Sequence, residues 1–248
     1  MRIKLDHLKT MRVRQLLVLM FVACGFSSSQ AQEWDFMTWY KLQAKGELTK
    51  KLSLSVEQQL RLNNNSTAVE ETFTDLSLNY DLPKGFEVGV GYRLAWSPNK
   101  DGYYDNQHRY NIDASYSRKI WNLKTKLRAR FQHRPAPSLF NERLKPEDSP
   151  IFVRLKLSVV YDKLKNWKPG FDFETFIRTD NPNELGARKF RYSVSVDYDL
   201  PKRQALGIFY MLQTDYSGST QEFVSVVGVN YTYEWKRPKK KKKDKTEE

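Results

Sequence analysis

From residue 36 to 235 the chain alternates apolar and polar side chains segment after segment, the pattern of β-strands that present two unlike faces. Residues 121–132 show it most cleanly. Trp121, Leu123, Thr125, Leu127, Ala129 and Phe131 fall on one face, and Asn122, Lys124, Lys126, Arg128, Arg130 and Gln132 on the other. In 190–200 the apolar set runs from Phe190 to Leu200 and the polar set from Arg191 to Asp199. The same split recurs in 52–62, 76–82, 86–96, 151–161 and 223–235. Segments of about ten residues are long enough to cross a bilayer at the usual tilt, and they exceed the usual strand of a soluble sheet.

Aromatics gather near the ends of the apolar faces, as in Phe86 and Trp96, Tyr110 and Tyr116, Trp121 and Phe131, and Phe190 and Tyr198, which is where two interfacial girdles belong. A soluble sandwich or a lipocalin-like barrel gives the same alternation with the apolar face inward. Strand length, aromatic ends and an export signal favour a transmembrane antiparallel β-barrel. Connections alternate short with long, as periplasmic turns and external loops do. Short ones are expected near 48–51, 82–85, 117–121, 162–168 and 200–203, and longer ones at 63–70, 97–107, 133–150, 179–189 and 215–221. Two short turns repeat a phrase, Tyr80-Asp81-Leu82-Pro83-Lys84 and Tyr198-Asp199-Leu200-Pro201-Lys202, whose aspartate and proline set up a tight reversal. Eleven segments are countable. Because single-chain bacterial barrels have even strand numbers, about twelve strands are expected, with ten as the alternative. Short turns inside then send the last strand down into the periplasm.

The ends carry the export reading. Met11-Arg12-Val13-Arg14 leads into the apolar run Leu16 to Ala23, too short to span a bilayer as a helix, and Ser29-Gln30-Ala31 offers a cleavage site. Residues 1–31 are therefore expected to be a signal peptide, 32–235 the barrel and 236–248 a basic, disordered tail. Cys24, the single cysteine, falls inside the signal. Cleavage after Ala31 leaves the mature chain without disulfides or thiolate metal sites.

The net charge of +13 is uneven, with +4 in residues 1–32, +5 in 236–248 and only +4 in the body. A nucleic-acid binder would concentrate basic charge on its folded domain, so no nucleic-acid partner is expected. The tail Lys236, Arg237, Lys239, Lys240, Lys241, Lys242 and Lys243 cannot pack. It suits solvent, anionic headgroups or an acidic periplasmic partner.

No catalytic, cofactor or metal constellation emerges. His108 and His133 share the apolar-face parity and lie in no metal-ligand spacing. Ser115 and Ser117, near His108 in sequence, sit on the opposite face. The loop 133–150, with Pro135, Pro137, Pro146 and Pro150, suits an external surface or a lid.

The polar faces define the candidate site. Lys124, Lys126, Arg128, Arg130, Arg154 and Lys156 line one wall. Hairpin counting sets Asp113 opposite Lys124 or Lys126, and Glu174 near Lys156 with Asp172 one step closer to the turn. The favoured reading is an ion-pair lattice that closes the lumen, and the rival is an anion-selective passage.

Trp39-Tyr40, Leu48 to Leu54, Glu57-Gln58-Gln59-Leu60-Arg61-Leu62 with Asn63-Asn64-Asn65, Gly91-Tyr92-Arg93-Leu94 and His108-Arg109-Tyr110 together resemble an outer-membrane β-barrel family catalogued as a domain of unknown function. The resemblance implies a barrel in the outer membrane of a Gram-negative cell and brings no catalytic residues. Val227, Val229, Tyr231, Tyr233 and Trp235 resemble the signal read by the barrel insertion machinery, with thirteen residues following it. The function expected is a small channel, scaffold or receptor surface contacting outer-membrane lipid. The alternatives are a lipid-modifying enzyme or a subunit of an export or assembly complex.

Overall fold

The computed structural model describes residues 34–99, 102–135, 149–180, 186–217 and 220–235. The expected signal peptide, the basic tail and most of the loop 133–150 lie outside the described residues. Eleven strands close into a barrel. They are β1 (Trp34–Glu47), β2 (Leu52–Asn63), β3 (Ala68–Asp81), β4 (Phe86–Pro98), β5 (Tyr104–Ile120), β6 (Leu123–His133), β7 (Ile151–Tyr161), β8 (Trp167–Arg178), β9 (Gly186–Leu200), β10 (Gln204–Ser217) and β11 (Thr220–Trp235). Each pairs antiparallel with its neighbours in sequence, so the chain runs up and down around the wall.

The expected twelve strands, or ten, are thus corrected to eleven, and the closure explains why. An even count follows when first and last strands pair antiparallel. Here β1 and β11 pair parallel, in register from Trp34 opposite Phe223 to Gly46 opposite Trp235, and two strands that run the same way require an odd total. β1 is a full strand of 14 residues and counts among the eleven.

Sequence alternation becomes inside and outside. Ile112 is 61% exposed while its neighbour Asp113 is 8% exposed, because successive side chains leave a strand on opposite faces. Val90, Leu127 and Ile208 are likewise exposed on the outer wall, whereas Gln59, Arg93, Asn111 and Glu174 are buried inside. The barrel is apolar without and polar within. Aromatic pairs ring the outside near the turns, with Phe86 4.8 Å from Tyr116 and Trp167 4.7 Å from Tyr198 between ring centroids.

The two repeated Asp-Leu-Pro-Lys turns adopt one conformation. Pro83–Gly85 and Pro201–Arg203 each form a single 3-10 turn after an extended leucine, with Lys84 at φ 62° and Lys202 at φ 59°. Several expected loops shrink because the strands run on. Only residues 64–67 separate β2 from β3, and two residues separate β10 from β11.

Candidate functional site in the barrel lumen

Lys124, Lys126, Arg128 and Arg130 of β6 alternate with the exposed Leu127 and Phe131 of the outer wall, so strand pleating alone aims them inward. The register then selects their partners. Asp113 lies opposite Arg130, not Lys124 or Lys126. β5 continues to Ile120 and reverses over Trp121 (φ 53°) and Asn122, later than the short connection expected at 117–121. Running the strand past that point moves Asp113 up the wall. Arg130 grips it in a fork, Nε at 2.6 Å and Nη2 at 2.7 Å, the planar geometry that suits guanidinium to carboxylate.

Glu174 lies opposite Lys156 and Asp172 opposite Ser158. The side chains pair diagonally, Lys156 with Asp172 at 3.2 Å and Arg154 with Glu174 at 2.9 Å. Arg128 reaches Glu174 from β6 at 2.8 Å, and Lys126 reaches Glu87 on β4 at 2.9 Å. Lys124 stays apart, bound with Lys119 to Asp162 in the turn after β7 at 3.2 and 2.9 Å. Those two lysines hold the Asp162 carboxyl below its ordinary value, first through the hydrogen bond from Lys119.

Sequence reasoning missed the middle of the lumen. Trp39 of β1, Phe73 of β3 and Phe176 of β8 point inward among the charges. Arg61 lies 3.9 Å from the Trp39 ring centroid and 4.8 Å from that of Phe73, and Arg93 lies 3.4 Å from Phe73. Arg154 lies 4.2 Å from the Phe176 ring, and Arg191 lies 4.8 Å from Phe176 and 5.3 Å from Trp39. Guanidinium planes on aromatic faces hold positive charge in place without a carboxylate for each. The signal available in sequence was a large aromatic on a polar parity, as in Glu71-Thr72-Phe73-Thr74-Asp75.

Two cavities of about 540 and 560 Å3 meet at this level, and the residues lining both are Trp39, Arg61, Arg93, Arg154 and Arg191. The turn-side cavity holds the lattice described above, with nine basic and seven acidic side chains on its wall. Among the described residues the loop-side cavity has nine basic side chains and three acidic ones, Glu70, Glu71 and Asp215. An apolar patch beside the parallel seam, formed by Met37, Trp39, Met211, Val224 and Val226, completes the wall.

His108 and Ser115 lie on opposite faces. His108 Nδ1 sits 2.8 Å from the Tyr92 hydroxyl on the outer wall, while Ser115 is buried inside. His133 Nε2 lies 2.9 Å from the Ser149 hydroxyl. Among the described residues no cluster of metal-ligating side chains is present.

Similar solved structures include one described as KdgM porin, 14% identical, covering 76% of this chain and 93% of that one at a TM-score of 0.46. A NanC porin is 12% identical over 72% of this chain and 86% of its own at 0.46. The beta domain of the Bordetella autotransporter BrkA is 10% identical over 72% and 82% at 0.42. No curated protein matches the sequence. A family model matches residues 36–224, and the chain belongs to that family, described as Protein of unknown function (DUF2490).

Proposed function

We propose that the protein is an integral outer-membrane β-barrel of a Gram-negative cell that passes small anions through a constricted lumen. The membrane part rests on the inverted wall. A continuous outer band that includes Leu42, Val90, Ile112 and Ile208 is unfavourable in water, and closing the barrel removes the sheet edge that lipid could not satisfy. In this reading the short turns face the periplasm and carry the tail there, where it meets solvent, anionic headgroups or an acidic partner.

The observation that supports conduction is the meeting of two cavities at a waist of Trp39 and four arginines. A narrow, positively charged constriction between wider vestibules favours anions and repels cations. Single-channel recording in planar bilayers under a salt gradient tests it. A small conductance with a reversal potential on the anion side is expected, rising in Trp39→Ala and losing its anion preference in Arg191→Gln. Absence of current in both wild type and Trp39→Ala would refute it.

One observation favours a second reading. On the turn side Asp113, Asp172 and Glu174 are each held by a basic partner, which suits a closed barrel acting as a scaffold or receptor surface. That reading predicts zero conductance and a loss of folded protein when Asp113→Ala is combined with Glu174→Ala.

A further inference from the structure

Three arginines of the loop-side chamber, Arg61, Arg109 and Arg191, share little acidic charge among the described residues. Arg61 and Arg109 approach a single carboxylate, Glu71, at 3.0 and 3.6 Å, and the Nε of each is buried without a hydrogen-bond partner. Arg191 of β9, 5.3 Å from the Trp39 ring centroid, donates to the neutral Gln213 at 2.7 Å and forms no ion pair among the described residues. Arg93 and Arg154 spend their paired nitrogens on Asp75 and Glu174, both on the turn side.

From this arrangement we propose that the loop-side chamber is a binding site for small solutes that carry two or more anionic groups, such as polycarboxylates or phosphate esters. The proposal rests on the conducting-barrel reading for how the solute arrives, and on the chamber alone for how it is held. Two guanidiniums that share one carboxylate keep an excess of positive charge, and anionic oxygens are the acceptors that answer both their charge and their geometry. One anionic group satisfies the Arg61 and Arg109 pair. A second reaches Arg191, which lines the same chamber, so a dianion gains where a monoanion gains half. A cavity of about 540 Å3 falls within the range of small-molecule sites. A neutral sugar finds the same space and no counterpart for the charge.

Glu70 makes the proposal testable in both directions. It is the extra residue of a bulge in β3, where the register with β2 shifts between Arg61 and Leu62, so it has no cross-strand partner. It lines the same chamber, and one of its carboxylate oxygens is buried without a hydrogen bond. An anion entering the site is repelled by it.

The experiment is calorimetric titration of the folded full chain in neutral detergent at low salt with pyrophosphate, citrate, acetate and glucose, folding being checked by heat-modifiable migration. Pyrophosphate and citrate are expected to bind saturably, acetate at least tenfold more weakly and glucose not at all. Arg109→Gln is expected to weaken pyrophosphate by about tenfold, and Glu70→Gln to tighten it severalfold, a gain that a merely structural role would not produce. Failure of Arg109→Gln to fold leaves Glu70→Gln and the salt dependence to decide. Absence of pyrophosphate binding, or Glu70→Gln binding no tighter than wild type, overturns the proposal. A barrel that binds pyrophosphate but carries no current keeps this site and loses the channel. One that conducts anions without saturable binding does the reverse.

Discussion

Arg154 donates to both carboxylate oxygens of Glu174, at 2.9 and 3.0 Å, from the adjacent strand. Arg128 meets the same carboxylate at 2.8 Å from one strand further, so one acid ties three strands together. Removing it leaves two guanidiniums in a buried site without their counter-charge, which costs about 3–5 kcal/mol where a buried pair is broken. Glu174→Gln is therefore expected to lower the urea midpoint of unfolding markedly. The exposed pair Lys45–Glu234, at 2.8 Å, is the comparison, and Glu234→Gln should change stability by less than about 1 kcal/mol.

Parallel closure places the start of β1 and the end of β11 at opposite ends of the barrel. With the turns in the periplasm, an epitope inserted just before Trp34 should be labelled on intact cells, as should one at residue 142. An epitope after Glu248 should be reached only after the outer membrane is permeabilised. Equal labelling of the two chain ends would contradict eleven spanning strands.

The two matching turns differ at one position. Gly85 has φ +86° and a Cβ there would strike the Ser117 carbonyl oxygen, while Arg203 holds φ +61° with a full side chain. A left-handed conformation costs an L-residue about 1–2 kcal/mol that glycine avoids. Gly85→Ala should thus destabilise the barrel, and Arg203→Gly should leave it equal or more stable, each read from unfolding in urea.

Asp180 fastens the start of β7 to the end of β8. It accepts from the Ile151 backbone N–H at 2.9 Å and from Arg178 at 3.1 Å. Burial raises its pKa, but the hydrogen bonds from Arg178 and the backbone outweigh that and hold it below the ordinary value. A carboxyl with a depressed folded pKa contributes stability above its unfolded pKa of about 3.9, and loses it as pH falls through the folded value. Asp180→Asn should therefore lower stability at pH 7, with the difference from wild type closing below about pH 4. A difference that persists at pH 2 would assign Asp180 a role other than its charge.

Much of the wall was legible from period-two patterning, since a strand such as 123–133 has only one way to separate Leu127 and Phe131 from Arg128 and Arg130. The Lys156–Glu174 register was countable because β7 and β8 end near their apparent limits. Asp113 was not, because Lys119 and Ile120 look like turn residues while the backbone continues as strand. Trp39 was hidden for a different reason. Around it, Phe36-Met37-Thr38-Trp39-Tyr40 carries apolar side chains on both parities, and only the barrel decides which of them face the lumen. Nothing local to β1 or β11 announces that they pair with each other, because their register is a property of the whole circuit.

The seam also orders the assembly of the wall. Every other strand pair joins neighbours along the chain, whereas Trp34 meets Phe223 across almost the whole barrel sequence. Loop closure over such a separation gains nothing until the intervening hairpins have shortened the path. The circle is completed by its first and last strands after the other ten pairs exist, and until then both carry unsatisfied backbone edges that something in the cell must shield.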